Sequence, residues 1–296
     1  MLRFLRVGEP GRESPVVQDP DGDFFDLAPL LSSGDVDGRF LERGGLAEAE
    51  RAFRHGELAR KDVNGLRIGA PIARPGAVIC IGQNYAAHAA ESDSPVPDAP
   101  IIFFKHPNTV VGPFDDVVIP PGSVKTDWEV ELAVVIGRRC RYLRTDAEAA
   151  TCVAGYTISN DVSERGYQLD NSGGQWSKGK CCETFNPLGP WLVAATEICD
   201  PQCLRLRSWV NDEPRQDSST ADMIFPVFEL VRHLSHYLVL EPGDVVNTGT
   251  PKGVALSGAF PYLNAGDRMT LEIEHLGRQH QRLIRADVSI VGSGVA

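Results

Sequence analysis

The sequence predicts an α+β fold built around a large and irregular β core. From residue 77 onward, short apolar and β-branched runs are interrupted at close intervals by Gly and Pro, which is typical of strands joined by turns. Strand candidates outnumber helix candidates, and the two do not alternate one for one as they do in a doubly wound fold. The candidate strands of this region are 78–81, 101–104, 117–119, 129–136, 156–159, 191–194, 245–246 and 269–273.

The first seventy residues have the pattern of a small α+β domain of their own. Residues 19–22 read Asp-Pro-Asp-Gly, a strong turn signal between two short apolar runs, and therefore predict a hairpin. The other candidates are a strand at 2–7, a helix at 46–60 and a linker at 67–75 that is rich in Gly and Pro. We therefore predict a small N-terminal domain over 1–70 and a larger domain over 71–296.

Two helices are predicted in the larger domain. Thr145 and Glu148 form a capping-box pattern, which opens a helix that Gly155 would end. Pro226 suits the first turn of a second helix, which runs toward Tyr237.

Composition and charge exclude several classes of protein. The 296 residues are 42% hydrophobic and 23% charged, as in ordinary globular proteins, and the formal net charge is −11. An acidic chain argues against nucleic acid as the main partner. The apolar runs are too short to span a membrane, and no signal-peptide core follows the N-terminus. The seven cysteines fit neither a disulfide framework nor a zinc-finger spacing, so we expect a cytoplasmic protein.

The clearest candidate for chemistry is the acidic strand at 129–136. Successive side chains of a strand point to opposite faces, so Glu129 and Glu131 share one face while Trp128 and Val130 belong to the other. Two neighbouring carboxylates repel each other unless a cation lies between them, and Mg²⁺ or Mn²⁺ takes such oxygen ligands readily. The alternative is an edge strand with a solvated acidic face.

Asp161 follows the next strand candidate and is the third carboxylate. A helix over 162–168 would place Arg165 and Gln168 roughly above it, so that an acid, a fixed cation and an amide share one face. The alternative is that Asp161 only caps this helix.

His88 and Glu91 are three residues apart in an alanine-rich stretch, so they face together on a helix. A carboxylate beside an imidazole orients it and raises its basicity, although the pair could equally be an exposed ion pair. The segment 86–100 continues from this helix into residues rich in Ser and Pro, which offer little apolar surface for packing. We therefore predict that the helix belongs to a mobile lid.

Two Gly-rich segments are the remaining candidates for contributing residues to a site. Residues 173–180 predict a mobile loop that delivers Lys178 or Lys180 to a site, and 248–253 predict a tight loop that contains Thr250.

Five segments, in order, resemble the fumarylacetoacetate hydrolase family: IGQNYAAHAAE, TDWEVELAVVIG, VAGYTISNDVSERGYQ, QWSKGKCCETFNPLGPWLV and LEPGDVVNTGTPKGV. The resemblance covers roughly 75–285 and is closest to the branch of ureidoglycolate lyases, diketo-deoxy-sugar-acid hydrolases and hydroxyheptadienedioate isomerases. It implies a mixed β-roll core and a homodimer. Glu183, Ala255 and Leu256 depart from the residues usual in the branch and would touch the rim of the pocket.

The resemblance also implies roles for individual residues. Its metal ligands are Glu129, Glu131 and Asp161, its catalytic residues are His88, Glu91 and Lys180, and its substrate-binding residues are Arg165, Gln168 and Thr250. We therefore expect a hydrolase that depends on Mg²⁺ or Mn²⁺ and cleaves a carbon–carbon bond in a small 2-oxo acid, such as an acylpyruvate or a 2,4-diketo acid.

Other activities fit the same residues. The metal half of the site also serves a decarboxylase or isomerase of an oxaloacetate-like or dienedioate acid, or a ureidoglycolate lyase. A non-enzymatic, cation-stabilised binding protein is the remaining alternative, and it gives His88 and Lys180 no reason to meet in one cleft.

Overall fold

Strands outnumber helices in this computed structural model, which describes residues 1–91, 95–170 and 172–287. The strands are β1 (Arg3–Val7), β2 (Ser14–Gln18), β3 (Phe24–Asp26), β4 (Val78–Gly82), β5 (Ile101–Lys105), β6 (Val110–Val111), β7 (Val117–Ile119), β8 (Thr126–Asp127), β9 (Val130–Ile136), β10 (Val153–Asn160), β11 (Ser163–Glu164), β12 (Asn186–Pro187), β13 (Val193–Ala194), β14 (Arg205–Val210), β15 (Glu213–Ser219), β16 (Val245–Asn247), β17 (Arg268–Ile273) and β18 (Gly277–Arg285). The helices are α1 (Gly38–Glu42), α2 (Gly45–Arg54), α3 (Ala86–Glu91), α4 (Asp146–Ala150), α5 (Ser177–Lys180) and α6 (Val227–Tyr237).

The acidic strand lies in the middle of a six-stranded mixed sheet. The strand order is β13-β10-β9-β16-β4-β5, and β9 pairs antiparallel with both β10 and β16. All seven residues of β9 are buried, because Val130 and Leu132 face one hydrophobic cluster while Ala133 and Val135 face another. The alternative of a solvated edge strand is therefore wrong.

A five-stranded sheet, in the order β15-β14-β17-β18-β7, covers one face of the central sheet. Leu206, Leu271 and Leu283 of this second sheet share the larger hydrophobic cluster with Val130 and Leu132 of β9. The fold is thus the α+β type that the sequence predicts, with a core between two sheets and few helices.

The N-terminal residues form a three-stranded sheet, β1-β2-β3, with α1 and α2 beside it. The predicted hairpin is confirmed, since Asp19 Oδ1 accepts from the N–H groups of Asp21 and Asp23 in its turn. The helix predicted over 46–60 is too long, because α2 ends before Gly56, whose φ of 68° is left-handed. The domain boundary at 70 stays a prediction.

The helix predicted from Pro226 toward Tyr237 is confirmed, since α6 follows Pro226 directly and ends at Tyr237. The other two predicted helices differ from the structure. The Thr145 side chain accepts from Glu148 N as predicted, but α4 ends at Ala150 because the chain enters β10 at Val153. The helix predicted over 162–168 is wrong: β11 pairs with β8, and a π-helical segment, Gly166–Asp170, follows. Within the described residues, no helix has both the length and the apolar character needed to cross a membrane.

Candidate active site

A cavity of about 310 Å³ lies where the ends of several elements meet. Its walls come from the end of β4, from α3, from the start of β9, from the π-helical segment, from α5 and from the loop after β16. The lining residues are Ile81, Gly82, Gln83, His88, Phe103, Glu129, Glu131, Arg165, Gln168, Leu169, Trp176, Lys180, Thr250 and Leu256. The structure therefore brings seven of the nine predicted site residues onto one surface, and Asp161 and Glu91 each contact a residue of that surface.

The three predicted metal carboxylates form one buried cluster. Glu129, Glu131 and Asp161 each offer an oxygen atom, and these atoms all lie within 4.8 Å of one another. Antiparallel pairing explains the arrangement, since Ser159 of β10 lies opposite Glu131 and the N–H of Asp161 donates to the carbonyl of Glu129 at 3.0 Å. The side chain of Asp161 therefore belongs to the cluster, and the alternative that it only caps a helix is wrong.

Two buried lysines hold these carboxylates. Lys180 Nζ donates to Glu129 Oε2 at 2.7 Å and to Asp161 Oδ2 at 2.8 Å. Lys105, which the sequence analysis missed, contacts Asp161 and donates to the carbonyl of Val162 at 3.0 Å. Although burial opposes its charge, Asp161 and Glu129 hold the pKa of Lys180 above its ordinary value.

Arg165 completes the positive side of the cluster. Its Nε donates to Asp127 Oδ2 at 2.8 Å, its Nη1 to Gln168 Oε1 at 2.8 Å and its Nη2 to Glu129 Oε1 at 2.6 Å. Burial opposes ionisation of Glu129, yet Lys180 and Arg165 lower its pKa to about 2. Glu129 is therefore a carboxylate at any physiological pH.

Glu131 is the carboxylate of the cluster whose charge these cations neutralise least. Its Oε2 accepts from Gly249 N at 2.9 Å. Burial, Asp161 and Glu129 together raise its pKa well above the ordinary value, which means that the site opposes a third negative charge. A divalent cation with oxygen ligands would relieve this opposition, so the donor set fits Mg²⁺ or Mn²⁺.

The predicted His–Glu pair is formed. Both residues lie on α3, where His88 Nδ1 is 3.5 Å from Glu91 Oε2 and the His88 side chain is almost fully buried. Glu91 also accepts from Gly253 N at 3.1 Å. Burial opposes its ionisation, but His88 and the N–H of Gly253 together lower its pKa. Ser92 and Ser94 of the predicted lid lie outside the described residues, so the lid stays a prediction.

The remaining predicted residues divide between the cavity and the surface. Lys178 is exposed, and Lys180 is the lysine of the cavity. The hydroxyl of Thr250 lies on the cavity wall and donates to the carbonyl of Val130 at 2.9 Å. Glu183 is exposed and does not line the cavity, whereas Leu256 does, so only part of the predicted rim is correct.

The sequence analysis also missed part of the cavity wall. Gln83 lines the cavity with φ of 54°, a left-handed conformation that a residue other than Gly adopts only under constraint. Phe103 and Trp176 stack edge to face with their ring centroids 5.8 Å apart. The glycine at 82 permits this arrangement, because an added Cβ would lie 2.4 Å from the indole of Trp176.

Comparison with known proteins identifies the family of this chain. Residues 77–284 match the family described as fumarylacetoacetate (FAA) hydrolase, C-terminal. The chain belongs to the fumarylacetoacetate hydrolase family. The resemblance inferred from the five sequence segments is therefore confirmed.

Relatives in the fumarylacetoacetate hydrolase family have more than one activity. A relative from Burkholderia multivorans bears the name putative hydrolase, which gives no substrate. It is 47% identical over 284 residues, which cover 95% of this chain and 98% of the relative. The structure of a maleylpyruvate hydrolase from Sphingobium sp. in complex with manganese(II) and pyruvate is 28% identical, with a TM-score of 0.78 over 96% of this chain and 100% of that one. The structure of a 2-hydroxyhepta-2,4-diene-1,7-dioate isomerase from Mycobacterium marinum is 30% identical, with a TM-score of 0.72 over 96% of this chain and 99% of that one.

Proposed function

We propose that this chain is a divalent-metal-dependent hydrolase that cleaves a carbon–carbon bond in a small 2-oxo acid, either an acylpyruvate or another 2,4-dioxo acid. One observation carries the proposal: a buried carboxylate cluster and the buried His88, which contacts Glu91, converge on one cavity of about 310 Å³. The maleylpyruvate hydrolase of Sphingobium sp., solved with manganese(II) and pyruvate, is a relative with this type of chemistry.

In this proposal, the 2-oxo acid binds beside the carboxylate cluster. Glu129, Glu131 and Asp161 would hold Mg²⁺ or Mn²⁺, which supplies Lewis-acid polarisation of the 2-oxo acid group when bound. Lys180 and Arg165 place two fixed positive charges beside this position, where negative charge develops during cleavage. Gln168 Oε1 accepts from Arg165, which leaves the amide NH₂ to donate to a substrate oxygen. Thr250 is the further wall residue that we assign to substrate binding.

His88 is the general base of the proposed reaction. His88 Nδ1 lies 3.5 Å from Glu91 Oε2 without hydrogen-bond geometry. With its proton on Nδ1, His88 has Nε2 left to take a proton from water. The hydroxide adds to the C4 carbonyl carbon of the 2,4-dioxo acid, and the C3–C4 bond breaks with its electron pair on C3. The proton held by His88 then goes to C3. One water and one substrate thus give pyruvate and the carboxylic acid of the acyl group.

The isomerase from Mycobacterium marinum supports a second candidate, isomerisation of a dienedioate. Isomerisation consumes no water and needs only the transfer of a proton between carbon atoms. A binding protein without activity is less well supported, because His88 and Lys180 line the same cavity.

Incubation of the purified protein with 2,4-dioxopentanoate tests the proposal. Metal is first removed with a chelator, and Mg²⁺ or Mn²⁺ is then restored to separate samples. We expect pyruvate, measured by coupled reduction to lactate, only in the samples with metal, and the better ion is the physiological candidate. Conversion of a dienedioate without cleavage of any 2,4-dioxo acid would replace the hydrolase by the isomerase.

We also propose that the protein is a homodimer, as the resemblance implies. Light scattering during size-exclusion chromatography should give twice the chain mass of 32.2 kDa. A mass equal to that of one chain would refute this assignment.

A further inference from the structure

Part of the cavity wall is apolar and has no role in the chemistry described so far. It consists of the residues Ile81, Phe103, Leu169, Trp176 and Leu256, which we call the apolar wall. The Phe103–Trp176 pair forms its aromatic part. Leu169 is 44% exposed and therefore lies at the mouth of the cavity.

The apolar wall is built into the fold and is not an incidental surface. Trp176 reaches its position only because residue 82 is glycine, since an added Cβ would lie 2.4 Å from its ring. Leu256 is fixed through its backbone, because its N–H donates to the buried Asp127 at 3.0 Å. A substrate group in this part of the cavity therefore meets preformed apolar surface, which favours apolar groups over hydrated ones.

The cations of the cavity are already paired with carboxylates of the protein. They are therefore not available to pair with a second carboxylate group of the substrate. Lys180 is paired with Glu129 and Asp161, and Arg165 is paired with Asp127 and Glu129. Among the described residues, no lysine or arginine other than Lys180 and Arg165 lines the cavity. The residues outside the description, 92–94, 171 and 288–296, contain no Lys, Arg or His in the sequence.

We propose that the apolar wall is the subsite for an uncharged alkyl or aryl acyl group, so that the substrates are acylpyruvates of neutral acyl groups and not dicarboxylates. This inference rests on the proposed function. The cation nearest to this wall is Lys180, whose Nζ lies 5.1 Å from the centroid of the Phe103 ring and is already paired with Glu129 and Asp161. A terminal carboxylate in this subsite would therefore lose hydration without gaining an unpaired cation, which is strongly disfavoured. An alkyl or aryl group of similar size would instead gain from burial.

A pair of substrates matched in length tests the subsite. 2,4-Dioxoheptanoate and 2,4-dioxoheptanedioate differ only in a terminal methyl group against a terminal carboxylate. We expect kcat/KM for the monoacid to exceed that for the diacid by about 100-fold or more. Equal values, or a preference for the diacid, would overturn the subsite while leaving the hydrolase intact.

A binding measurement separates the subsite from the reaction. 2-Oxoheptanoate and 2-oxoheptanedioate lack the 4-oxo group and cannot be cleaved by this route, so calorimetry with Mg²⁺ present reports affinity alone. Tighter binding of the monoacid without turnover of any 2,4-dioxo acid would preserve the subsite and remove the proposed hydrolysis. Binding of neither analogue, or tighter binding of the diacid, would overturn the subsite.

One substitution should change the preference. Leu169→Arg places a cation at the mouth of the cavity, and because Leu169 is partly exposed the variant should fold. We expect it to reduce the preference for the monoacid by about 10-fold or more. Leu66→Arg is the matched control, since Leu66 is 47% exposed and lies outside the cavity wall, and it should keep the wild-type preference. An unchanged preference in folded Leu169→Arg would contradict the subsite.

Discussion

Asp127 is a buried acid on which two parts of the cavity depend, and its replacement by Asn should be costly. It is fully buried and accepts four hydrogen bonds: from Arg165 Nε at 2.8 Å, and from the backbone N–H groups of Trp128 at 2.9 Å, Ala255 at 2.9 Å and Leu256 at 3.0 Å. The same carboxylate thus orients the guanidinium and holds the loop that carries part of the apolar wall.

The geometry of the four donors sets the size of the effect. Asn has the shape of Asp, but its NH₂ group is a donor and cannot accept. At least two of the four N–H groups around Asp127 would lose their acceptor, and each buried unsatisfied donor costs about 1–3 kcal/mol. Arg165 keeps Glu129 as a partner, which limits the electrostatic part of the loss. We therefore expect Asp127→Asn to lower the free energy of unfolding by about 2–5 kcal/mol.

Guanidinium chloride unfolding of the metal-free protein measures this loss. Asp217→Asn is the matched control, because Asp217 also has two contacts with an arginine, Arg205, but the pair is solvent-exposed. That control should unfold at the wild-type midpoint. If Asp127→Asn stays within about 1 kcal/mol of the wild type, buried donors around Asp127 do not need a charged acceptor, and our reasoning about this anchor fails.

Three further outcomes are expected at the site. Glu131→Gln should abolish Mg²⁺ and Mn²⁺ binding in calorimetry, and an unchanged affinity would remove the carboxylate cluster as the metal site. His88→Ala should slow hydrolysis of 2,4-dioxopentanoate by about 10²–10⁴-fold while oxalate still binds, and near-normal turnover would exclude His88 as the base. If α3 belongs to a lid, amides of residues 84–91 should gain protection from hydrogen exchange only with oxalate and Mg²⁺ present; strong protection in the free protein would mean that the base is preformed.

The strands that the sequence predicts contain short runs of apolar residues. β9 and β16 lie inside the central sheet, and their apolar residues are consecutive over most of their length. β18 was missed because its period of two is hidden: buried and exposed positions alternate, but Gln279 and Gln281 occupy two of the buried ones. Their amides bond inside the core, Gln279 to the carbonyl of Ile158 and Gln281 to that of Pro113. No local sequence pattern predicts such tertiary hydrogen bonds.

Local periodicity predicts the site only where its residues are close in sequence, and the family resemblance supplied the distant members such as Lys180 and Thr250. Glu129 and Glu131 share a strand, and His88 and Glu91 share a helical turn, so local periodicity brings each pair together. Lys105 lies 56 residues from Asp161 and could not be found in this way. A lysine that ends an apolar strand was its one visible signal, and such lysines are usually solvated.

The charges around the carboxylate cluster connect the fold to the proposed chemistry. Four buried carboxylates, those of Asp127, Glu129, Glu131 and Asp161, lie among three buried cations, Lys105, Arg165 and Lys180. Burial raises the pKa of Glu131, and the negative charges of Asp161 and Glu129 raise it further, in line with this excess of one negative charge. A divalent cation would turn this excess into one positive charge, enough for the carboxylate of one 2-oxo acid and insufficient for a second carboxylate. The same balance therefore favours a metal, an anionic substrate and an uncharged acyl group.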